Sequence, residues 1–296
     1  MAFPTDSLDS QNKLVTMKYN YYDLDTTILE IRNFLDSIDK LKFELDEQKA
    51  LHRESWLAIQ EKLRIDWTYD SNAIEGSSLT RGETLFFLKE GLTVEGKPFK
   101  DFLDAKNHAE AIDWLYETIK DDRPISQSFI KEMNALLLSG IKYTSAINSE
   151  GQKVQKKATP GKYKELSNHV LTSDGSIHFY VEPIYVSDEM DTLCKWINKN
   201  IKNQHPVIVS SITHYNMVRI HPFDDGNGRG ARILMNLILI KKKYPITIIK
   251  NQDRRKYILA LHQADNGDFY PFLKFIATSL INTAQTIISE LKQLKK

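Results

Sequence analysis

Between Thr27 and Leu45 the apolar residues Ile28, Ile31, Leu35, Ile38, Leu41 and Leu45 return at intervals of three and four. That spacing places them on one face of a helix. A second helix is predicted from about Gln48 to Tyr69, so the chain begins with a helical hairpin. The stretch Ser71-Asn72-Ala73-Ile74-Glu75-Gly76-Ser77 breaks or ends it. The next helix spans residues 79–90, with Thr80 as its cap and Glu83 three positions on, the pattern of a capping box. Further helices are predicted at about 101–120, 126–139, 187–202, 207–218, 230–243, 254–263 and 270–292. One region, 161–183, reads as β. Residues 168–172 and 177–181 flank an Asp174-Gly175 turn, a hairpin signal. A lone hairpin is marginal in water and must lie against the helical body, as a flap or as a structural loop. The first dozen residues read as disordered, and there are no internal repeats. The fold class expected is all-α, a helical bundle with one β-hairpin.

Composition narrows the function classes. A chain of 296 residues can bury one large or two small cores. Its formal net charge is +1, which gives no footprint for a polyanion, and no nucleic-acid partner is expected. The lysines at 241–243 and 292–296 suit solvated helix ends, where cations complement the dipole. The single Cys194 excludes an intrachain disulfide and a cysteine metal cluster. It falls on the helical face of Met190, Leu193, Ile197 and Ile201, as a buried small hydrophobe. Residues 1–13 lack the apolar core of a signal peptide, and no apolar run reaches the ~20 residues of a membrane span. A soluble, cytoplasmic protein is expected.

The chemistry concentrates in His221-Pro222-Phe223-Asp224-Asp225-Gly226-Asn227-Gly228-Arg229-Gly230-Ala231-Arg232. The glycines allow backbone N–H groups to turn inward as an anion nest. The apolar helical run from Ile233 to Ile240 follows, so the nest lies at a helix N-terminus, where the dipole favours negative charge. Arg229 and Arg232 are three apart and share a helix face. Residue types and spacing suit a nucleotide polyphosphate.

This stretch resembles, in full, the signature of the Fic family, His-Pro-Phe-x-(Asp/Glu)-Gly-Asn-Gly-Arg-x-x-Arg. The resemblance extends upstream to His214-Tyr215 and Val218-Arg219-Ile220. Downstream it takes in Tyr257, Leu261, Asn266-Gly267-Asp268, Phe272 and Phe275, and in all it covers roughly residues 79–275. It implies a Fic-type bundle whose hairpin flap, 161–183, lies beside the active loop and pairs its edge with an extended target segment, a form of strand addition. Many relatives have an arginine near Lys164, and this flap is polar, so target specificity does not transfer. The implied division is an N-terminal helical region, 1–78, and a catalytic domain, 79–296.

Most Fic proteins move AMP from ATP to a protein hydroxyl, by in-line attack at the α-phosphate with pyrophosphate leaving. The resemblance assigns His221 as general base and Asp225 as the Mg²⁺ ligand. One carboxylate suffices for Mg²⁺ beside a diphosphate. Asn227 would offer its amide to the α-phosphate. The Gly226, Gly228 and Arg229 amides would form the nest, and Arg229 and Arg232 would meet the β- and γ-phosphates. Asp224 reads as a surface residue and Phe223 as an apolar pin. In the related Doc toxins a lysine replaces the glycine at position 228 and ATP serves phosphoryl transfer, so Gly228 argues for AMP transfer. Tyr257 and Leu261 are candidates for an adenine pocket or for plain core packing.

Ser71-Asn72-Ala73-Ile74-Glu75-Gly76 also fits the family's inhibitory motif, (Ser/Thr)-x-x-x-Glu-(Gly/Asn). Members with this helix pair its glutamate with the second motif arginine. Here that implies Glu75 on Arg232, Ser71 bonding locally and Gly76 ending the motif; an exposed glutamate at a helix end is the plain alternative. The leading expectation is an autoinhibited protein adenylyltransferase using ATP and Mg²⁺, acting on a target protein or itself. The alternatives are a hydrolase that removes AMP at the same site, and a non-catalytic nucleotide-sensing module. The target is unnamed, and a homodimer is compatible with the chain.

Overall fold

The computed structural model describes residues 20–24, 28–147, 152–171 and 177–293. The terminal stretch expected to be disordered and the Asp174-Gly175 turn lie outside these residues. Ten α-helices are present among the described residues: α1 Leu29–Leu51, α2 Arg53–Ile74, α3 Arg81–Glu90, α4 Phe99–Lys120, α5 Gln127–Leu137, α6 Pro183–Asn200, α7 Pro206–Ile220, α8 Asn227–Lys241, α9 Arg254–Asp265 and α10 Tyr270–Gln293. The all-α expectation holds. No helix of the described residues is long and apolar enough to cross a membrane.

The centre of the bundle is α7 against α8. Both are buried around most of their circumference, as expected of helices that are apolar beyond a single stripe. Val209, Met217 and Ile220 of α7 meet Ile233, Leu234, Leu237 and Ile238 of α8. Around them stand Ile112 and Leu115 of α4, Phe129 and Met133 of α5, and Met190 and Leu193 of α6. Cys194 joins this core, and burial pushes its thiol up to about 12, so it behaves as a small hydrophobe. The face of α1 read from its periodicity packs along the last helix, with Ile31 and Ile38 against Leu273, Ala277 and Leu280. Leu45 lies against Ile287, Ile288 and Leu291.

Besides shifts of a few residues at several helix ends, three features differ from the sequence expectation. α2 runs to Ile74, beyond the predicted end at Tyr69. Its polar last turn persists because tertiary bonds satisfy it: the Asn72 amide donates to the Asp104 carbonyl of α4 at 3.4 Å, and Ser71 serves an arginine of α8. α6 begins at Pro183, four residues before the predicted start, because proline pre-sets helical φ at a first position and lacks only an N–H that would be unpaired there. The third difference is a second β-hairpin, β1 Tyr143–Ile147 paired antiparallel with β2 Lys153–Lys157. Three lysines among the five residues of β2 hid it from a reading based on apolar alternation. The expected hairpin is present as β3 Val170–Leu171 with β4 Ile177–His178. The capping box of α3 forms as predicted, and Gly91 ends that helix in the left-handed conformation at φ 70°.

Buried polar groups fix the segment between α8 and α9. Asn236, inside α8, donates to the Thr247 carbonyl at 3.0 Å and accepts its N–H at 2.8 Å. Asn236→Ala strands two buried backbone groups and is expected to lower unfolding free energy by about 2–3 kcal/mol, to be measured by urea denaturation. A loss within 0.5 kcal/mol, the roughly neutral range of a surface change, would refute this anchoring role.

Candidate active site

The end of α7 determines the position of His221. Pro222 cannot continue a helix and disfavours right-handed helical geometry in the residue before it. His221 accordingly turns into the left-handed region at φ 50°, ψ 57°, a strained conformation for a residue with a Cβ. Its Nδ1 lies 3.3 Å from the Val218 carbonyl. A carbonyl only accepts, so Nδ1 carries the proton and Nε2 holds the lone pair. The ring stacks on Tyr180, with centroids 3.8 Å apart. Burial, followed by the Lys164 ammonium, pushes the imidazole down to about 3, so His221 is neutral across the physiological range.

The loop after it is braced from every side. The Phe223 ring is buried against Tyr163, as the pin the sequence suggested. Both ends of the Asn227 amide bond the Phe223 backbone, its Oδ1 accepting from N at 2.9 Å and its Nδ2 donating to O at 2.7 Å. Asn227 therefore acts as a buried staple of the loop, not as an open amide for a phosphate. Asn168 of the flap segment donates to the same Phe223 carbonyl, and the Lys164 N–H donates to Pro222. Asn134 of α5 donates to the Asp225 carbonyl and accepts from Gly161. Asp224 is no surface residue: its carboxylate is tied to Lys156 at 2.9 Å and Thr159 at 3.0 Å, joining β2 to the loop. The flap also carries exposed apolar side chains, Val170, Ile177 and Phe179, where a polar surface was expected.

Gly226, at φ 80°, begins α8. The N–H groups of Asn227, Gly228 and Arg229 lie in the first turn, where a helix supplies no acceptor of its own. Into this turn comes Glu75 from the C-terminal end of α2. A Cβ added to Gly228 would collide with Glu75 Oε1 and stand 3.1 Å from its Cδ. Glu75 accepts from Arg232 Nη2 at 2.7 Å. Arg232, only 2% exposed, also donates from Nε to Ser71 Oγ and from Nη2 to the Ser71 carbonyl. Gly76 then turns the chain away at φ 97°. Ser71 and Glu75 thus both reach Arg232 from the end of α2.

Arg229 stands differently. It is equally buried, and its guanidinium is held by Asp104 Oδ1 at 2.5 Å and Asp225 Oδ1 at 3.1 Å. Its role here is to brace the loop to α4, in place of the open phosphate fork that was expected. Tyr257 lies in the core at 2% exposure, with its hydroxyl on His214 Nε2 at 3.1 Å. Leu261 packs beside it. Both are buried in the core, and the Tyr257 hydroxyl also interacts with Arg232 of α8. The cavity nearby, of about 230 Å³, lies under the flap and is walled by Tyr180, Tyr185, Tyr215, Phe179, His178, Arg219 and Asp265, among others.

Asp225 keeps a partly exposed carboxylate, with Oδ1 on the Gly226 N–H and on Arg229 and Oδ2 3.9 Å from Lys100 Nζ. Among the described residues no cluster of three or more His, Cys, Asp or Glu could hold a metal. A single hard oxygen donor nonetheless fits Mg²⁺, which takes one or two carboxylates and completes its shell with phosphates and water. The sequence reading missed Tyr180, Lys164, Asn168, Asp104 and Lys100. They lie outside the motif, and their spacing along the chain carries no signal until the flap and α4 fold onto the loop.

Lys164→Met removes the buried ammonium that depresses the His221 imidazole. The His221 pKa is expected to rise from about 3 but to stay below 6.5, because burial, the larger cause, remains. An NMR titration of the imidazole protons reads this directly, and an unmoved midpoint would discard the Lys164 coupling.

Comparison with known proteins agrees with this arrangement. Residues 124–239 match the model of the Fic/DOC family. "Protein adenylyltransferase Fic" of Nematostella vectensis is 32% identical over 248 residues, covering 83% of this chain and 53% of its own. "Protein adenylyltransferase fic-1" of Caenorhabditis elegans is 26% identical over 264 residues, covering 88% and 48%. The chain spans about half the length of the curated relatives it matches. Among solved structures, a Fic domain containing signaling protein from Bacteroides thetaiotaomicron superposes with a TM-score of 0.77 at 29% identity, covering 87% of this chain and 97% of its own. Fic-1 from C. elegans gives a TM-score of 0.69 at 25% identity, covering 88% and 73%. With its complete active loop built on a shared helical bundle, the chain belongs to the Fic family.

Proposed function

We propose that this protein is an autoinhibited protein adenylyltransferase, transferring AMP from ATP to a hydroxyl of a target protein or of itself. One observation carries the reading: the Glu75 carboxylate already lies at the first turn of α8, over Gly228 and paired with Arg232. That is where an N-terminal helix end attracts an anion. A carboxylate in this seat stands in for a phosphate oxygen and excludes it.

The productive state follows from the same parts. When Glu75 withdraws, Arg232 and the first-turn amides are free for phosphate. His221 Nε2 takes the proton of the acceptor hydroxyl, whose oxygen attacks the α-phosphorus as pyrophosphate departs. General-base help of this kind contributes roughly 10²–10⁴-fold. Asp225 is the residue to hold Mg²⁺, which would neutralise phosphate charge when bound. The aromatic cavity under the flap, not Tyr257, is the seat we assign to the base. Val170, Ile177 and Phe179 on the flap would receive an extended target segment by strand addition.

Glu75→Gly is expected to raise labelling with AMP, of a target or of the protein itself, at least tenfold, about 1.4 kcal/mol, from release of one charge-assisted bond. Arg232→Ala breaks the same pair without activating, because the arginine is needed for ATP, and the double variant should match Arg232→Ala. Equal labelling by the unmodified protein and Glu75→Gly at saturating Mg²⁺ and ATP would sink the reading. Release of AMP from a labelled target, lost in Glu75→Gly, would favour the hydrolase instead.

In the Glu75→Gly background, His221→Ala is expected to lower turnover by roughly 10²–10⁴-fold while calorimetric ATP affinity stays within about twofold. The pH dependence of transfer should show no acid limb near 6.5. The imidazole pKa is depressed, so its neutral, base form is lost only as pH falls toward about 3. A limb centred near 6.5 would show that His221 is solvated in the working enzyme or is not the base.

A further inference from the structure

We propose that Lys100 contacts the triphosphate and holds its pyrophosphate portion as that group leaves, an inference that rests on the nucleotide reading above. Lys100 lies in the first turn of α4, well outside the active-loop motif. The fold brings its Nζ to 2.6 Å from Asp104 Oδ2 and 3.9 Å from Asp225 Oδ2. The residue designated for the metal thus has a cation on its open side.

Three observations favour a substrate contact over a structural ion pair. Arg229, the motif arginine beside Asp225, is buried and committed to Asp104 and Asp225. Lys100 is 45% exposed at its side chain, so it is accessible to solvent beside the Asp225 carboxylate and is not locked in the core as Arg229 is. A lysine ammonium has three donors on a flexible stem, and the bond to Asp104 uses one of them. Once Glu75 has withdrawn, Lys100, Arg229 and Arg232 stand against Asp104 and Asp225, an excess of one positive charge. Lys100 supplies the mobile part of that excess.

The chemistry gives the charge a use. The acceptor oxygen forms a bond to the α-phosphorus while the bond from phosphorus to the bridging oxygen breaks. The electron pair departs with pyrophosphate, and the hydroxyl proton passes to His221. Negative charge therefore grows on the leaving group, and a cation already placed there stabilises the transition state. Arg232 serves the Glu75 side of the seat, and Lys100 serves the Asp225 side.

The test uses the full chain in the Glu75→Gly background, with Lys100→Met and Lys100→Arg. Calorimetry with Mg²⁺ measures ATP, pyrophosphate and AMP separately. Lys100→Met is expected to weaken ATP and pyrophosphate roughly tenfold, to leave AMP within about twofold, and to flatten the salt dependence of ATP binding. Lys100→Arg should retain most of both affinities. Labelling should show a raised KM for ATP together with a lowered kcat. Unchanged ATP and pyrophosphate affinities would overturn the proposal. An equal loss for all three ligands would also overturn it, by showing that Lys100 only supports Asp104 and Arg229. Failure of the Glu75→Gly parent to bind ATP at all would instead remove the nucleotide reading itself, and this inference with it.

Discussion

The active region depends on one constraint: a buried guanidinium must have its charge answered and most of its N–H groups bonded. Arg232 is buried between helices, and a lone charge there would be expensive. Its answers come from α2, through the Ser71 hydroxyl, the Ser71 carbonyl and Glu75. One side chain thereby draws the end of α2 onto the start of α8. The same end of α2 is gripped from the other side by the start of α9 and the segment before it: Asp70 accepts from Lys250 and from the Asn251 N–H, and Arg254 of α9 donates to the Ile74 carbonyl. The second motif arginine is thus a structural tie as well as the group proposed to meet phosphate.

A second consequence concerns precision. The loop from His221 to Gly226 has no regular structure, yet its carbonyls are held by side chains from α5, the flap segment and its own first helical residue. Those anchors are asparagines, whose amides donate and accept at once: Asn134 and Asn227 answer backbone groups in both directions, and Asn168 accepts from the Lys164 ammonium. The loop therefore has the rigidity of the bundle around it. Tyr180 rests on the His221 ring, so the flap that would receive a target also touches the residue that would accept the proton. In the proposed reading, a target docked on the flap would bear on the base through the Tyr180 ring.

The sequence made the bundle legible because its helices obey a regular apolar period, and it made the loop legible because glycine, proline and charge occur there in an order that few structures use. Ser71 and Glu75, far from the loop in sequence, are both bonded to Arg232. What escaped the pattern depended on contacts distant in sequence. Asn227, Arg229 and Tyr257 have residue types suited to a ligand, but their nearest neighbours turned out to be Phe223, Asp104 and His214. Asp224 looked exposed because nothing nearby in sequence could bury it, and β2, which does so, was masked by its own lysines. A residue's chemistry can be read from its type; whether that chemistry is already occupied cannot.

At Gly228 the backbone is bare. Any side chain there would claim the space of the Glu75 carboxylate. The space above Gly228 can hold the Glu75 carboxylate or a side chain at position 228, not both at once. Because the clash falls on the tip of a flexible, partly exposed glutamate, a methyl group at 228 would displace the carboxylate rather than break the fold. The bare backbone at this one position is therefore what lets an acidic side chain rest on the helix end.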